Sequence, residues 1–422
     1  MNFNTILYRF GLNPDNFINE DREPIRTEDG FIYEIRQRVD IRICPKCGSD
    51  KAHVHDHDVV EINCCQTDHI KDILRIIKTR FMCNNCRITY TPKIDGIDTN
   101  SSISNQTKSF IINDFTKVMS FADIGRRYGI SSMRIIQIFD EEVPFIPRGR
   151  LPEVLCIDEK GFNGDTVAPY CCILYDHQRR EVVDIIESRQ LPYLYEYFSN
   201  IPESELNNVK YFVSDMYDGY RNIYRYFFKK AIHIIDLFHV VQLLTRAVNK
   251  IRYNHVKTAT KSSPRINFMK SKWKLFLCRN ENIPDKWYTP KGWGKSIHYT
   301  DMVFDCAKQY DDLLVSYNIL QDLYHYNRND TFMESLKFID NISERLKLTG
   351  IKELETVGTT YTKFRVEIAN GLAKNQTGKY YSNSIAESIN NNISTIVKVS
   401  YGYGNFKRYR KRIMLISRYK KI

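Results

Sequence analysis

Two sets of residues in this chain have types and spacings suited to chemistry. The first is Cys44-Pro45-Lys46-Cys47 with Cys83-Asn84-Asn85-Cys86, two C-x-x-C pairs flanking strand-like runs. Four thiolates so spaced close a tetrahedral structural Zn²⁺ site with no open position for catalysis. A redox pair, or ligands exchanged for His53, His55, His57, Cys64 or Cys65, is the alternative. The second set is carboxylates. The apolar run Val154 to Ile157 stops on Asp158, the run Val209 to Ser214 ends on Asp215, and Ala231 to Ile235 ends on Asp236. In open α/β sheets ligands gather outside the carboxyl ends of strands, and a hard cation such as Mg²⁺ takes convergent oxygen ligands. Asp also starts turns and caps helices, so each residue alone says little. Asp158 and Asp215 together, each closing a buried-type strand, favour a site.

The elements that must position these carboxylates follow from the apolar pattern. Tyr170 to Tyr175 and Glu181 to Ile186 are β-branched and aromatic runs, which read as strands. Three strands, a crossover, a strand, a helix and a strand is the order of a ribonuclease-H-like sheet, with the first Asp on strand one and the second on strand four. Leu237, Val240, Val241, Leu244 and Val248 form the stripe of a long helix after Asp236. Asp236 and His239 make D-x-x-H, an auxiliary site motif or simply a helix cap and a packed histidine. Between Asp215 and Glu387 lie 387 − 215 = 172 steps, more than such a sheet needs, so 250–375 reads as a mainly helical insertion. It holds Trp273, Trp287 and Trp293. Tryptophan is habitually buried, yet Trp287 and Trp293 flank the loop-like Pro290-Lys291-Gly292 and are candidates to stack on a base. Beyond it Ile385, Ile389 and Ile393 form an apolar stripe expected to face the sheet. Glu387 shares the opposite face with Asn383, Asn390, Asn391 and Ser394, without Lys or Arg. A carboxylate opposite that stripe is expected to look along the sheet edge.

Upstream, residues 1–40 carry no readable chemistry and 93–106 is a polar linker. From Thr107 to Phe139 the spacing is helical, with Phe110, Ile111, Phe115 and Val118 on one face. Ser120 can cap a helix that Gly129 ends, and Ser131 can cap the next. That is the outline of a helix-turn-helix, whose second helix would offer Ser132, Arg134 and Gln137 to a major groove, with Met133, Ile135, Ile136 and Ile138 partly in the core. Net charge is +12, and nine basic residues with no acid lie between Ser388 and Ile422. Arg408, Arg410 and Arg412, interleaved with tyrosines, suit a nucleic-acid phosphate backbone. No run of about 18 apolar residues exists to span a membrane, and no secretory signal opens the chain, so the expected location is the cytoplasm, with the cysteines as thiols or metal ligands.

Several motifs in order give a resemblance. Ile157-Asp158-Glu159, Val213-Ser214-Asp215-Met216-Tyr217, Ile235-Asp236-Leu237-Phe238-His239-Val240 and Ser382-Asn383-Ser384-Ile385-Ala386-Glu387-Ser388 resemble the bacterial DDE transposases of the ISL-three family. The resemblance implies Asp158, Asp215 and Glu387 as catalytic ligands of two Mg²⁺ or Mn²⁺ ions, and Cys44, Cys47, Cys83 and Cys86 as ligands of one Zn²⁺. It further implies an insertion-sequence transposase that binds terminal inverted repeats and target DNA, as a homo-oligomer associated with the nucleoid and not a membrane. The expected fold is multidomain α/β. A zinc ribbon (41–95) and a helix-turn-helix (107–143) precede a ribonuclease-H-like catalytic domain (151–422) with the insertion and a basic tail at 398–422. A DNA-binding regulator with an inactive catalytic domain and a structure-specific nuclease on the same fold are the alternatives.

Overall fold

The computed structural model describes all residues except 1–2, 19–21, 41, 64–70, 99–100, 291, 327–330, 375–377, 379, 382–383 and 420–422. Cys64, Cys65, Lys291, Ser382 and Asn383 therefore lie outside the described residues. The chain divides into two units, residues 1–147 with 393–421 and residues 148–392.

In the first unit the strand Gly30–Gln37 pairs in parallel with Lys71–Cys83, which pairs antiparallel with Ala52–Asn63. Leu74 and Ile76 are fully buried, two residues apart as a strand's inward face requires. They pack with Leu7, Phe10, Phe17, Ile35 and Ile62, so residues 1–40 supply part of this core. Three helices follow, Asn105–Asp114, Phe121–Tyr128 and Ser132–Glu142. Each starts at a serine whose hydroxyl accepts a backbone N–H, Ser104 from Thr107, Ser120 from Asp123 and Ser131 from Arg134. Gly129 ends the second helix with φ 64°, a left-handed cap that glycine adopts without strain. A Cβ on Gly125 would lie 2.5 Å from the Ile130 carbonyl oxygen, so only glycine admits the close turn between these helices. Two residues placed in the core by spacing are outside it. Phe110, about 100° around its helix from the buried Ile111, is 45% exposed, and Met133 is 65% exposed.

The helix Phe406–Tyr419 completes this unit. Arg412 is fully buried. Its guanidinium donates to the carbonyls of Phe115, Lys117 (3.0 Å) and Met119 (2.9 Å), just past the helix Asn105–Asp114. A cation at a helix C-terminus is favoured by the free carbonyls there. Arg408 pairs with Asp140 at 2.8 Å, and Arg410 donates to the Ile146 carbonyl at 3.0 Å with its guanidinium over the Phe145 ring. The basic helix thus packs through its charges.

The second unit is built on a five-stranded sheet in the order Ile232–Ile235, Tyr211–Ser214, Val154–Gly161, Tyr170–Asp176, Glu181–Ile186. The first three are mutually parallel, and Tyr170–Asp176 runs antiparallel to both its neighbours. Val154 to Ile157 are all buried, which explains the unbroken apolar run of a strand covered on both faces. That strand does not stop at Asp158. Its antiparallel neighbour supports it as far as Gly161 opposite Tyr170, whereas the parallel neighbour's pairing ends at Val213 opposite Cys156. The segment after Asp236 is helical, from Leu237–Thr258 through Arg365–Leu372, with one short hairpin of Trp287–Tyr288 and Ile297–His298. Its core joins Val240, Leu244 and Val248 to Leu320, Ile339, Leu354 and Tyr361.

Candidate active site

Sheet register sets three aspartates on or just past three adjacent strands. Val213 lies opposite Cys156 and Ser214 opposite Ile235. Carried forward, that register sets Asp215 between Asp158 and Asp236, at the same edge of three adjacent parallel strands. Asp158 is half-buried and held at both oxygens. Oδ1 accepts the Glu159 N–H at 2.8 Å, and Oδ2 accepts from Asn390 Nδ2 at 2.7 Å. Burial raises its pKa, against the Glu159 amide and His239, with Glu159 and Asp236 adding to the rise. Asp215 is pushed up to about 7, first by burial and then by the charges of Glu159 and Asp158. Its Oδ1 is buried without a hydrogen-bond partner. An orphaned oxygen among like charges is the electrostatic condition that a divalent cation relieves, so the Asp215 carboxylate suits one.

Asp236 caps the long helix, Oδ1 accepting from Phe238 N at 3.4 Å, and His239 Nε2 lies 3.9 Å from its Oδ2. Asp236 and His239 also line a cleft of about 800 Å³. Asp158, Glu387, Asn390 and Asn391 line it too, with Phe238, Arg279 and Tyr324. Glu387 is exposed on the helix Ser384–Val399. It lies on the helix face opposite the buried Ile389, and that face borders the cleft. Asn390, one turn on along the same face, touches Asp158, so the polar face meets the first strand while Ile389 is also buried. Asp215 is not among the cleft's lining residues. Asp158, Asp215 and Glu387 are not within mutual ligand distance. Among the described residues only the four cysteines form a group of three or more ligand residues with all atoms within 4.8 Å.

Two nearby carboxylates are engaged elsewhere. Glu367 is buried and accepts from Arg221 Nε at 2.6 Å, and exposed Asp218 pairs with Lys363 at 2.5 Å. Sequence reasoning missed the partner of Glu159. Arg189 Nη1 lies 2.5 Å from both Glu159 oxygens, and its guanidinium lies over the rings of Tyr170 and Tyr217. Nothing in the spacing of Arg189 signals this.

The cysteines are brought together as expected. Cys44 and Cys86 Sγ lie 3.6 Å apart, as do those of Cys47 and Cys83. Each knuckle turns through a left-handed residue, Gly48 (φ 71°) and Arg87 (φ 58°), whose N–H returns to the first cysteine's carbonyl. The cluster fits a zinc ribbon. His53 instead hydrogen-bonds Asn84 Oδ1 at 2.6 Å.

Other expected site residues fare unevenly. Ser132 and Gln137 are exposed, and Arg134 lies 3.3 Å from Gln137 Oε1. Arg412 is a correction, since a fully buried guanidinium bonded to three carbonyls has no surface to offer a phosphate. Trp293 is half-buried beside Phe268 with Arg265 over its ring at 5.0 Å. Trp287 is 69% exposed, its ring 4.0 Å from that of His298, and Trp273 is 39% exposed.

The fold is thus mixed α/β with a carboxylate-bearing sheet edge and a thiolate cluster, and its sequence places it in a class of DNA-rearranging enzymes. Residues 155–413 match the profile of a transposase family, the ISL3-type DDE transposases. That span is more than half of the chain, and the chain belongs to this family. It is a DNA transposase of insertion-sequence type, and DNA is its partner. No curated protein sequence matches it. Among the described residues no helix is long and apolar enough to cross a membrane.

Proposed function

We propose that the second unit is a ribonuclease-H-like catalytic domain that cleaves element ends and joins them to target DNA, with Asp158, Asp215 and Glu387 as its metal-holding carboxylates. The observation that carries this reading is that Asp158 lies on, and Asp215 directly follows, adjacent parallel strands, close enough for the Asp158 charge to raise the Asp215 pKa, with Asp215 Oδ1 orphaned. The strand order, with one antiparallel strand inside an otherwise parallel set, supports the fold. Asp158 and Asp215 would hold two Mg²⁺ or Mn²⁺ ions, and Glu387 from the cleft wall would complete the set. Such ions lower the pKa of an attacking water or hydroxyl and stabilise the leaving oxygen.

The chain's own residues supply positioning. Asn390 and the Glu159 amide fix the Asp158 carboxylate, and Arg189 neutralises Glu159 so that its charge weighs less on Asp215. His239 and Asp236 line the same cleft and are auxiliary to it. Little covalent chemistry falls to the protein in phosphoryl transfer, so holding groups in place is most of its task. The helices Phe121–Tyr128 and Ser132–Glu142 would act as a helix-turn-helix that reads terminal inverted repeats through Ser132, Arg134 and Gln137, beside a ribbon held by one Zn²⁺. The enzyme would work as a homo-oligomer on DNA.

The test is incubation of a supercoiled donor carrying candidate ends with the protein and Mg²⁺, followed by sequencing of the products. Joined ends from the wild type and none from Asp215→Asn support the reading. Cleavage without joining would make the protein a nuclease.

A further inference from the structure

A chain of side chains crosses from the sheet to the helix that bears Glu387. Tyr175, fully buried on the strand next to that of Asp158, donates its hydroxyl to Asn390 Oδ1 at 2.8 Å. Asn390 Nδ2 donates in turn to Asp158 Oδ2 at 2.7 Å. Lys160, two residues beyond Asp158, donates to the Asn390 backbone carbonyl at 2.9 Å. The direction of the chain is set by chemistry. An ionised carboxylate only accepts, so the amide N–H must face Asp158, its oxygen must face Tyr175, and the phenol must donate.

We propose that Asn390 is a positioning residue for metal binding: it fixes the Asp158 carboxylate toward the cation and docks the helix carrying Glu387 onto the same strand. This rests on the reading of Asp158 as a metal ligand. Asn390 lies three residues after Glu387, so the two share a helix face, and pinning one sets the approach of the other. The residue type suits the task. A neutral amide steadies a half-buried carboxylate through a directional bond without adding a second positive charge beside Lys160. Groups that orient a metal's ligands in this way are worth about 10–100-fold in metal affinity.

A helix-to-strand tie without this role would affect only stability, so the experiment separates the two. Mn²⁺ binding to the full chain without DNA is measured by electron paramagnetic resonance, alongside the melting temperature of the metal-free protein. Asn390→Ala is expected to weaken Mn²⁺ binding by about tenfold or more, and Tyr175→Phe, which lets the amide rotate, by a smaller factor in the same direction. Asp158→Asn reports on the underlying reading and is expected to lose the site. Wild-type Mn²⁺ affinity in Asn390→Ala, with loss in Asp158→Asn, would overturn the positioning role alone. Wild-type affinity in Asp158→Asn would overturn both. If Asn390→Ala does not fold, Tyr175→Phe decides, and an unchanged affinity there overturns the proposal.

Discussion

Asp215→Asn should make the metal-free protein more stable while removing its activity. In the fold, burial first and then the charges of Glu159 and Asp158 push Asp215 from an ordinary 3.8 up to about 7. An acid whose folded pKa is raised holds its proton longer in the fold than in the unfolded chain. Its contribution to stability is intact below pH 3.8 and is lost as pH rises to about 7. At 1.36 kcal/mol per pH unit the full loss is about 4 kcal/mol at pH 8, and less than half of that at pH 5. Asparagine keeps the shape without the charge, so the variant should gain about 2–4 kcal/mol at pH 8, allowing for its new N–H donors. For a unit of this size that is a rise in melting temperature on the order of 10 °C. Differential scanning calorimetry in EDTA at pH 8 and pH 5 measures both numbers. Adding Mn²⁺ should stabilise the wild type more than the variant and narrow the gap. A variant no more stable than wild type at pH 8, or a gap equal at both pH values, would refute the argument that Asp215 is a strained carboxylate awaiting a cation.

Further outcomes follow from the same geometry. Native mass spectrometry should show one Zn²⁺ per chain, lost in Cys44→Ser and in Cys83→Ser; full occupancy in both would put the ligands elsewhere. Arg412→Gln should destabilise the protein by about 2 kcal/mol or more, because it leaves buried carbonyls unpaired, and chemical denaturation will measure it. The salt dependence of DNA binding by the folded Arg412→Gln protein should match wild type; a slope lower by about 0.9 would count Arg412 as a phosphate contact. Trp287→Ala should leave the melting temperature nearly unchanged, since the ring is 69% exposed, whereas Trp293→Ala should lower it.

What was legible in the sequence is what depends on local pattern. The apolar runs ending near Asp158, Asp215 and Asp236 became adjacent strands, and Ser120, Gly129 and Ser131 bounded their helices as spacing predicts. The paired knuckles met because each turn is written into a few neighbouring residues. What was hidden depends on partners far away in the chain. Asn390 and Asp158 are 232 positions apart, and only the neutral face around Glu387 hinted at a buried function for it. Arg412 read as a surface cation because charge is visible in sequence and burial is not. The strand's continuation to Gly161 depended on its antiparallel neighbour, a matter of pairing that no single segment encodes.

Whether Asp158, Asp215 and Glu387 form one metal-dependent site is decided by parallel assays of cleavage and joining of end DNA. Wild type, Asp158→Asn, Asp215→Asn, Glu387→Gln and the ion-paired control Asp218→Asn are compared in Mg²⁺ and in excess EDTA. Joined products are expected from wild type and Asp218→Asn in Mg²⁺, end binding without cleavage from the other three, and no cleavage by any protein in EDTA. Full joining by Glu387→Gln would remove the helix from the site, and wild-type cleavage persisting in EDTA would contradict the metal mechanism itself.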